Sequence, residues 1–184
     1  MKVKPLLEGK PFMTEYGIVG YSTVVLIACD DEKNILYDCG SKGCVLQLKE
    51  ALEKAGMKPE DITHVVISHL HFDHVGNLPL FSDAEILLNK IEWESANQTP
   101  DEWHSIQTLA YLEKRGNLRF VKEGDIISEE VSVMELPGHT PGLIGLRCGA
   151  ETILCSDAMK NRYELWKNIP LMSQNLEQSR KSIQ

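Results

Sequence analysis

The chain has 184 residues, of which 42% are hydrophobic and 25% are charged, and this composition is typical of a soluble globular protein. Its length favours a single domain over residues 1–184. The formal net charge is −8 and the basic residues are scattered, which argues against a nucleic-acid partner. The sequence has no apolar stretch long enough to cross a bilayer and no recognisable signal peptide, so we expect a cytoplasmic protein without a membrane partner.

Strands and helices are expected to alternate along the chain. Runs of β-branched and apolar residues between polar turns predict strands at 21–29, 35–37, 62–68, 84–88, 131–136, 143–147 and 152–155. Apolar residues at a helical period predict helices at 45–55, in two segments of 90–116 and after residue 157 as far as 182. Because tight hairpins occur among these elements, the pattern favours a layered α/β sandwich with mixed sheets over a purely parallel sheet.

Two strand–turn–strand segments resemble each other within the chain. They cover Leu26–Asp38 and Gly145–Asp157, and a cysteine lies nine residues before each final aspartate. Chance similarity of two hairpins is one interpretation, and a duplicated half-domain is the other. In the second interpretation, Asp38 and Asp157 lie on opposing strand ends beside one site.

A cluster of metal-ligand residues follows the predicted strand at 62–68. It reads His69-Leu70-His71-Phe72-Asp73-His74. Side chains two apart on an extended segment point the same way, so His69 and His71 are expected to share one face. Asp73 and His74 follow at a turn and are expected to reach a second point. Imidazole and carboxylate groups together are ligands for Zn, Fe, Mn, Co or Ni, and the two directions indicate two ions.

Two residues further along the chain are expected to complete this site. His139 lies in a loop with prolines and glycines on both sides, which predicts a rigid position for a third ligand beside His69 and His71. Asp157 follows a predicted strand, and its two carboxylate oxygens can bridge two cations. The other interpretation of Asp157 is a cap at the start of the following helix.

These motifs, in this order and spacing, resemble the metallo-β-lactamase superfamily of metal-dependent hydrolases over residues 21 to about 158. The resemblance implies a four-layered αββα sandwich with metal ions at the edge where two mixed sheets meet. The metal ligands that it implies are His69, His71, Asp73, His74, His139 and Asp157. Asp38 matches an aspartate that supports a metal ligand in this family without binding the ion itself.

One feature departs from the pattern of the family. No histidine follows His139, whereas the family supplies a last histidine to the second ion well after the bridging aspartate. The sandwich is therefore expected to be short or truncated at its C-terminus. The second ion would have only Asp73, His74 and Asp157, so we expect one tight metal position and one weak or empty position. An exposed sheet edge at this end would also favour a homodimer.

The resemblance implies hydrolysis of a small-molecule ester, thioester, lactone or phosphoester by a metal-bound hydroxide. The expected cofactor is one or two Zn ions, with Fe or Mn as alternatives. Asp73 is the expected catalytic residue, because it can orient the hydroxide and carry its proton. Two other interpretations stay open, a mononuclear iron dioxygenase-type member and a non-catalytic metal-binding protein that lacks the last histidine.

The sequence does not identify the residues that bind the substrate. Bacterial lactonases of this superfamily carry a tyrosine three residues after the bridging aspartate, where this chain has Lys160. Lys160 or Arg162 could hold an anionic substrate or belong to a solvated helix face. Four ring-bearing residues could line the site or pack elsewhere, namely Trp93, Trp103, His104 and Tyr111.

Overall fold

The computed structural model describes residues 1–15 and 17–184. The strands are β1 (Lys2–Leu7), β2 (Met13–Thr14), β3 (Gly17–Ile18), β4 (Val24–Ala28), β5 (Asn34–Tyr37), β6 (His64–Val66), β7 (Glu85–Asn89), β8 (Leu118–Val121), β9 (Ile126–Ser128), β10 (Val131–Glu135), β11 (Ile144–Cys148) and β12 (Thr152–Leu154). The α-helices are α1 (Val45–Lys54), α2 (Phe72–Val75), α3 (Lys90–Gln98), α4 (Ile106–Arg115), α5 (Arg162–Lys167) and α6 (Leu176–Ser182).

Two sheets of different kinds form the centre of the fold. The first has the order β1-β4-β5-β6-β7-β8, antiparallel from β1 to β5 and parallel from β5 to β8. The second has the order β12-β11-β10-β9 and is antiparallel throughout. The first sheet is therefore mixed, and its parallel strands bring their carboxyl ends to one edge.

Apolar side chains pack between the layers. The core between the two sheets includes Ile27, Ile35, Val66, Leu87, Val133, Ile144 and Leu146. The other face of the first sheet packs against α1 and α4, which contribute Leu48, Leu52, Leu109 and Leu112. A smaller cluster of Leu136, Leu143 and Ala158 contacts Ile183, just after α6. The order of layers is helix, sheet, sheet, helix, which confirms the predicted αββα sandwich.

Most predicted elements are present with shorter bounds, and the differences have local causes. The prediction of helix throughout residues 158–182 was wrong, because α5 ends at Lys167. The next residue, Asn168, has a left-handed backbone with φ of 51°, and Pro170 follows. β1, β2, β3, β8 and β9 were not predicted. β1 contains Pro5, which a strand tolerates at the edge of a sheet, where one side of its backbone needs no partner.

Hydrogen bonds also join the two sheets beside the ends of their strands. The backbone N–H of Ile144 donates to the carbonyl oxygen of Ser68 at 3.0 Å, and the hydroxyl of Tyr37 donates to the carbonyl oxygen of Ile144 at 2.8 Å. These bonds fix the position of β11 against the segment that carries the histidine cluster. Among the described residues, no helix has the length and apolar character needed to cross a membrane.

We expect Leu87→Ala to lower the free energy of unfolding by about 2–5 kcal/mol, because Leu87 is fully buried between the sheets and its truncation leaves a cavity. Urea unfolding of the metal-free protein measures this change. Leu46→Ala is the matched control, since Leu46 is 69% exposed and should change stability by no more than about 0.5 kcal/mol. Equal effects of the two substitutions would contradict the proposed packing.

Candidate metal centre

All the predicted site residues lie at one edge, where strands of both sheets end. His69 and His71 follow β6, and Asp38 follows β5. His139 follows β10, and Asp157 lies in a short 3-10 turn after β12. The two hairpins that resemble each other in sequence are β4–β5 and β11–β12, and their final aspartates contact the two different nitrogens of His74.

Three imidazoles form the first candidate metal group. The Nε2 atom of His69 lies 3.1 Å from Nδ1 of His71, and Nε2 of His139 lies 3.2 Å from the same Nδ1. The three residues are buried, and one nitrogen of each lies within 4.8 Å of the others. The segment that follows β6 therefore brings His69 and His71 together, and the glycine-proline loop brings His139 to them.

A second group adjoins the first and contains His74 and Asp157. The Nε2 atom of His74 lies 3.5 Å from Oδ1 of Asp157 and 3.7 Å from Oδ2 of Asp73. The other oxygen of Asp157, Oδ2, lies 3.5 Å from Nε2 of His139. The two oxygens of Asp157 thus face different imidazoles, which is the arrangement needed to bridge two cations. A nitrogen of His69 is also within 4.8 Å of the ligand atoms of His74 and Asp157.

In His69, His74 and His139, the ring nitrogen that points away from the other ligands, here called the outer nitrogen, lies beside a hydrogen-bond acceptor. Nδ1 of His69 lies 3.0 Å from Oγ of Ser68, and Nδ1 of His74 lies 2.8 Å from Oδ2 of Asp38. Nδ1 of His139 lies 2.5 Å from the carbonyl oxygen of Met172. A carbonyl or carboxylate oxygen can only accept, so the nitrogen of His74 or His139 that faces it carries a proton, and in a neutral ring the inner nitrogen then keeps its lone pair.

His71 is oriented the other way round. Its Nδ1 faces the other imidazoles, and its Nε2 lies 3.3 Å from Oδ2 of Asp101. Asp101 is itself held by the backbone N–H of Trp103 and the side-chain amide of Gln174, which both donate to it at 2.9 Å. Asp101 was not recognised in the sequence, because a lone acidic residue in a polar segment before a helix usually faces solvent.

The electrostatic environment leaves the first group uncharged near neutral pH. Burial lowers the pKa of His69 well below its ordinary value, and burial lowers the pKa of His71 to about 3 and that of His139 to about 4. Neighbouring imidazoles lower the pKa of His69 and His71 further. Neutral imidazole is the form that binds a metal ion, so these nitrogens need not lose a proton first.

His74 has the opposite behaviour in the metal-free protein. Burial alone would lower its pKa, but the charge and the hydrogen bond of Asp38, together with the charges of Asp157 and Asp73, outweigh burial and raise it to about 9. Asp38 also accepts hydrogen bonds from the N–H and the hydroxyl of Ser68, both at 2.8 Å. Asp38 therefore contacts the nitrogen of His74 that points away from Asp73 and Asp157.

The donor set fits a divalent cation. Two nitrogens at about 2.0–2.1 Å from a tetrahedral Zn²⁺ lie roughly 3.3–3.4 Å apart, close to the 3.1 and 3.2 Å separations between these imidazoles. Four imidazole nitrogens and two nearby carboxylates also suit Fe or Mn. The residues present can therefore hold a metal ion with little rearrangement.

Two cavities meet at the centre. One has a volume of about 450 Å³ and is lined by His71, Phe72, Asp101, Trp103, His139 and Met172, among others. The other has a volume of about 370 Å³ and is lined by Tyr21, Ser22, Tyr37, His74 and Ser156, among others. Pro11, Asp73, Asp157 and Lys160 line both cavities, so these four residues mark the boundary between them.

Of the four ring-bearing candidates from the sequence, two lie at the site and two pack against the core. Trp103 lines the larger cavity, and the ring of His104 lies 5.2 Å from that of His71. Trp93 and Tyr111 instead pack against the core between the first sheet and its helices.

The two basic candidates also differ in position. The ammonium of Lys160 donates to the carbonyl oxygens of Asp157 at 3.0 Å and Leu171 at 2.9 Å. Arg162 is exposed and is not among the residues that line these two cavities. Of the two, only Lys160 is placed to meet a bound molecule.

The metal-free protein should lose stability as pH rises from 6.5 through 9, because His74 is protonated in the folded state and its folded pKa of about 9 exceeds its ordinary value. This contribution is fully present below pH 6.5 and amounts to at most about 3 kcal/mol. In Asp38→Asn the slope of the free energy of unfolding against pH should be much flatter over this interval, since the main attraction to the imidazolium is gone. Urea unfolding in excess chelator at successive pH values measures both slopes.

Asp83→Asn is the control for this experiment, because Asp83 is exposed and lies outside the centre. The slope is compared rather than the absolute stability, since Asp38→Asn also replaces one of the two oxygens that accept from Ser68 by an N–H donor. A slope in Asp38→Asn equal to that of the unmodified protein would show that Asp38 does not hold the proton on His74.

Solved structures with the same fold include lactonases. A mutant of AiiA from Bacillus thuringiensis with N-decanoyl-L-homoserine bound matches with a TM-score of 0.77 and 20% identity, over 90% of this chain and 75% of that one. AidC, described as a dizinc quorum-quenching lactonase, matches with a TM-score of 0.66 and 21% identity, over 91% of this chain and 68% of that one. At these identities the likeness shows the fold alone.

Sequence comparison identifies relatives and a family. The chain is 31% identical over 137 residues to an N-acyl homoserine lactonase of Bacillus cereus, which covers 72% of this chain and 52% of that protein. It is 35% identical over 99 residues to metallo-beta-lactamase domain-containing protein 1 of Xenopus laevis, which covers 54% and 36%. The chain thus spans about half the length, or less, of these curated relatives. The family model described as the metallo-beta-lactamase superfamily matches residues 17–156, and the chain belongs to this superfamily.

Proposed function

We propose that this protein is a metal-dependent hydrolase of ester-type bonds, with lactones as the first substrate class to test. The observation that carries the proposal is the convergence of four imidazole nitrogens and the two oxygens of Asp157 on one region between two cavities. The curated relatives include N-acyl homoserine lactonases, which supports lactones as the first candidates. Thioesters and phosphoesters are the next classes.

The proposed ligands divide into two sets that share Asp157. One set is His69, His71 and His139, and the other is His74 and Asp73. Zinc is the proposed metal for both positions, since its ligands are imidazole and carboxylate. When bound, a divalent cation would polarise the reacting carbonyl group and lower the pKa of bound water to about 7.

Asp73 is the proposed catalytic residue because of its position. Its carboxylate lies at the boundary of both cavities and is 30% exposed, so water and substrate can reach it. An oxygen there can accept a hydrogen bond from the attacking water and carry its proton toward the leaving group. His74, whose Nε2 lies 3.7 Å from Asp73, limits the directions that the carboxylate can take.

The larger cavity offers a place for the apolar part of a substrate. The rings of Phe72 and Trp103 are stacked with their centres 6.4 Å apart, and Met172 lies on the same cavity wall. These side chains give one wall of the cavity an apolar surface that an apolar part of a substrate could contact. The ammonium of Lys160 lies beside Asp157 at the boundary of both cavities, where it could contact a negatively charged part of the substrate.

The two metal positions should differ in affinity. The first has three imidazoles whose outer nitrogens are paired, while the second has one imidazole, Asp73 and a shared carboxylate. Loading the second position also requires His74 to release a proton, because its pKa is about 9 in the metal-free protein. We therefore expect one tight and one weaker position in this chain.

Removal of the metal should lower the melting temperature, because the ligands come from both halves of the chain and binding to the folded state adds to its stability. Calorimetry before and after chelation measures the shift, and elemental analysis verifies the loss of metal. Reloading with Zn, Mn or Fe should restore turnover of lactones, esters or thioesters. Oxygen consumption with Fe in place of hydrolysis would favour the dioxygenase interpretation, and tight metal binding without turnover would favour the non-catalytic one.

Asp73→Asn should lower kcat by about 10²–10⁴-fold with a much smaller change in KM, because an amide cannot take up the proton of the attacking water. Steady-state kinetics of the metal-loaded variant measure kcat and KM separately, with metal content determined on the same sample. Asp83→Asn is an exposed control with the same change in charge. Unchanged turnover in Asp73→Asn with full metal content would remove Asp73 from the proposed role.

A further inference from the structure

Glu92 is a carboxylate inside the protein that no part of the proposed chemistry uses. It lies in the first turn of α3 and is 1% exposed. A carboxylate in this position carries a large desolvation cost unless its oxygens are hydrogen-bonded. Its partners should therefore show what the side chain does.

The two oxygens of Glu92 accept hydrogen bonds from two different metal-binding segments. Oε1 accepts from the backbone N–H of Leu70 at 2.9 Å, and Oε2 accepts from the backbone N–H of Gly142 at 3.1 Å. Leu70 is the residue between His69 and His71. Gly142 closes the loop that begins with His139, so a single carboxylate joins the two segments that supply the three-imidazole group.

The packing around Gly142 shows that the contact is close. A Cβ atom added at Gly142 would overlap the backbone of Glu92, so the loop lies directly on the first turn of α3. The position of α3 is fixed in turn by Asn89, whose side chain caps the helix by accepting from the N–H of Ile91 at 2.8 Å. The carboxylate of Glu92 is therefore held by a helix whose own position is fixed.

We infer that Glu92 is a positioning residue that sets the separation between the His69–His71 segment and the His139 loop, and thereby the metal affinity of the three-imidazole group. This inference rests on the proposed metal centre. An isosteric amide at this position keeps only one acceptor and turns an N–H group toward one of the two backbone donors. The two segments would then move apart, and three nitrogens that now lie within hydrogen-bond distance would no longer converge.

The test measures Zn²⁺ affinity by competition with a chromophoric chelator for the whole chain and for Glu92→Gln. We expect the affinity of the tight position to fall by about 10–100-fold, the range typical of partners that orient metal ligands. The Co²⁺-loaded protein provides a spectroscopic reading of coordination geometry, and its visible absorption should change in Glu92→Gln. Glu92→Asp keeps the charge but shortens the side chain by one methylene, so it should also weaken binding.

Two controls separate positioning from general stability. Glu94→Gln makes the same chemical change on the exposed side of α3, where Glu94 pairs with Lys90 at 3.5 Å, and it should bind Zn²⁺ normally. Leu52→Ala destabilises the buried core against α1, away from the centre, and should change the melting temperature but not the Co²⁺ spectrum. An equal loss of affinity in Leu52→Ala, or no loss in Glu92→Gln, would overturn the inference.

A further measurement uses the unmodified chain and does not depend on how the variants fold. The amides of Leu70 and Gly142 should exchange slowly with solvent in the metal-free protein, because Glu92 accepts from both. Fast exchange of either amide would overturn the inference. Failure of the unmodified chain to bind Zn²⁺ would instead contradict the metal centre itself, so the two failures are distinguishable.

Discussion

The hydrogen bond on the outer nitrogen of each imidazole is the constraint on which the rest of the centre depends. An imidazole that is free to rotate presents either nitrogen, and a neutral one carries a proton on one of them. The acceptors on Ser68, Asp38, Met172 and Asp101 fix both the ring orientation and the tautomer. As a result, the lone pairs of His69, His71 and His139 face one region before any metal ion arrives, and the inner nitrogen of His74 joins them once it releases its proton.

These acceptors stay beside the imidazoles only because the two sheets keep a fixed position relative to each other at this edge. Ser68 and Asp38 belong to the first sheet, whereas the loop of His139 follows a strand of the second. The core between the sheets and the hydrogen bond from Ile144 to Ser68 hold these segments together. Burial of the centre and stability of the fold are therefore coupled, since a shift of one sheet would separate the ligands.

Charge balance explains why the metal-free protein can keep this arrangement. Asp38, Asp73 and Asp157 lie around His74, and three carboxylates without a cation would repel one another. The raised pKa of His74 shows that an imidazolium supplies the positive charge in the absence of metal. A divalent cation would replace that proton, so metal loading, proton release and stability form one linked equilibrium.

The sequence by itself determined the fold class and the candidate ligands, because these depend on short-range patterns. The spacing of His69 and His71, two residues apart, and the glycine-proline loop around His139 are visible without any tertiary contact. Only the tertiary structure decided what orients the ligands. Asp101 reaches His71 across 30 residues and Glu92 reaches Gly142 across 50, and isolated acidic residues in polar or helical segments give no local sign of such partners. Their roles arise from burial and from the meeting of distant segments, which sequence periodicity does not encode.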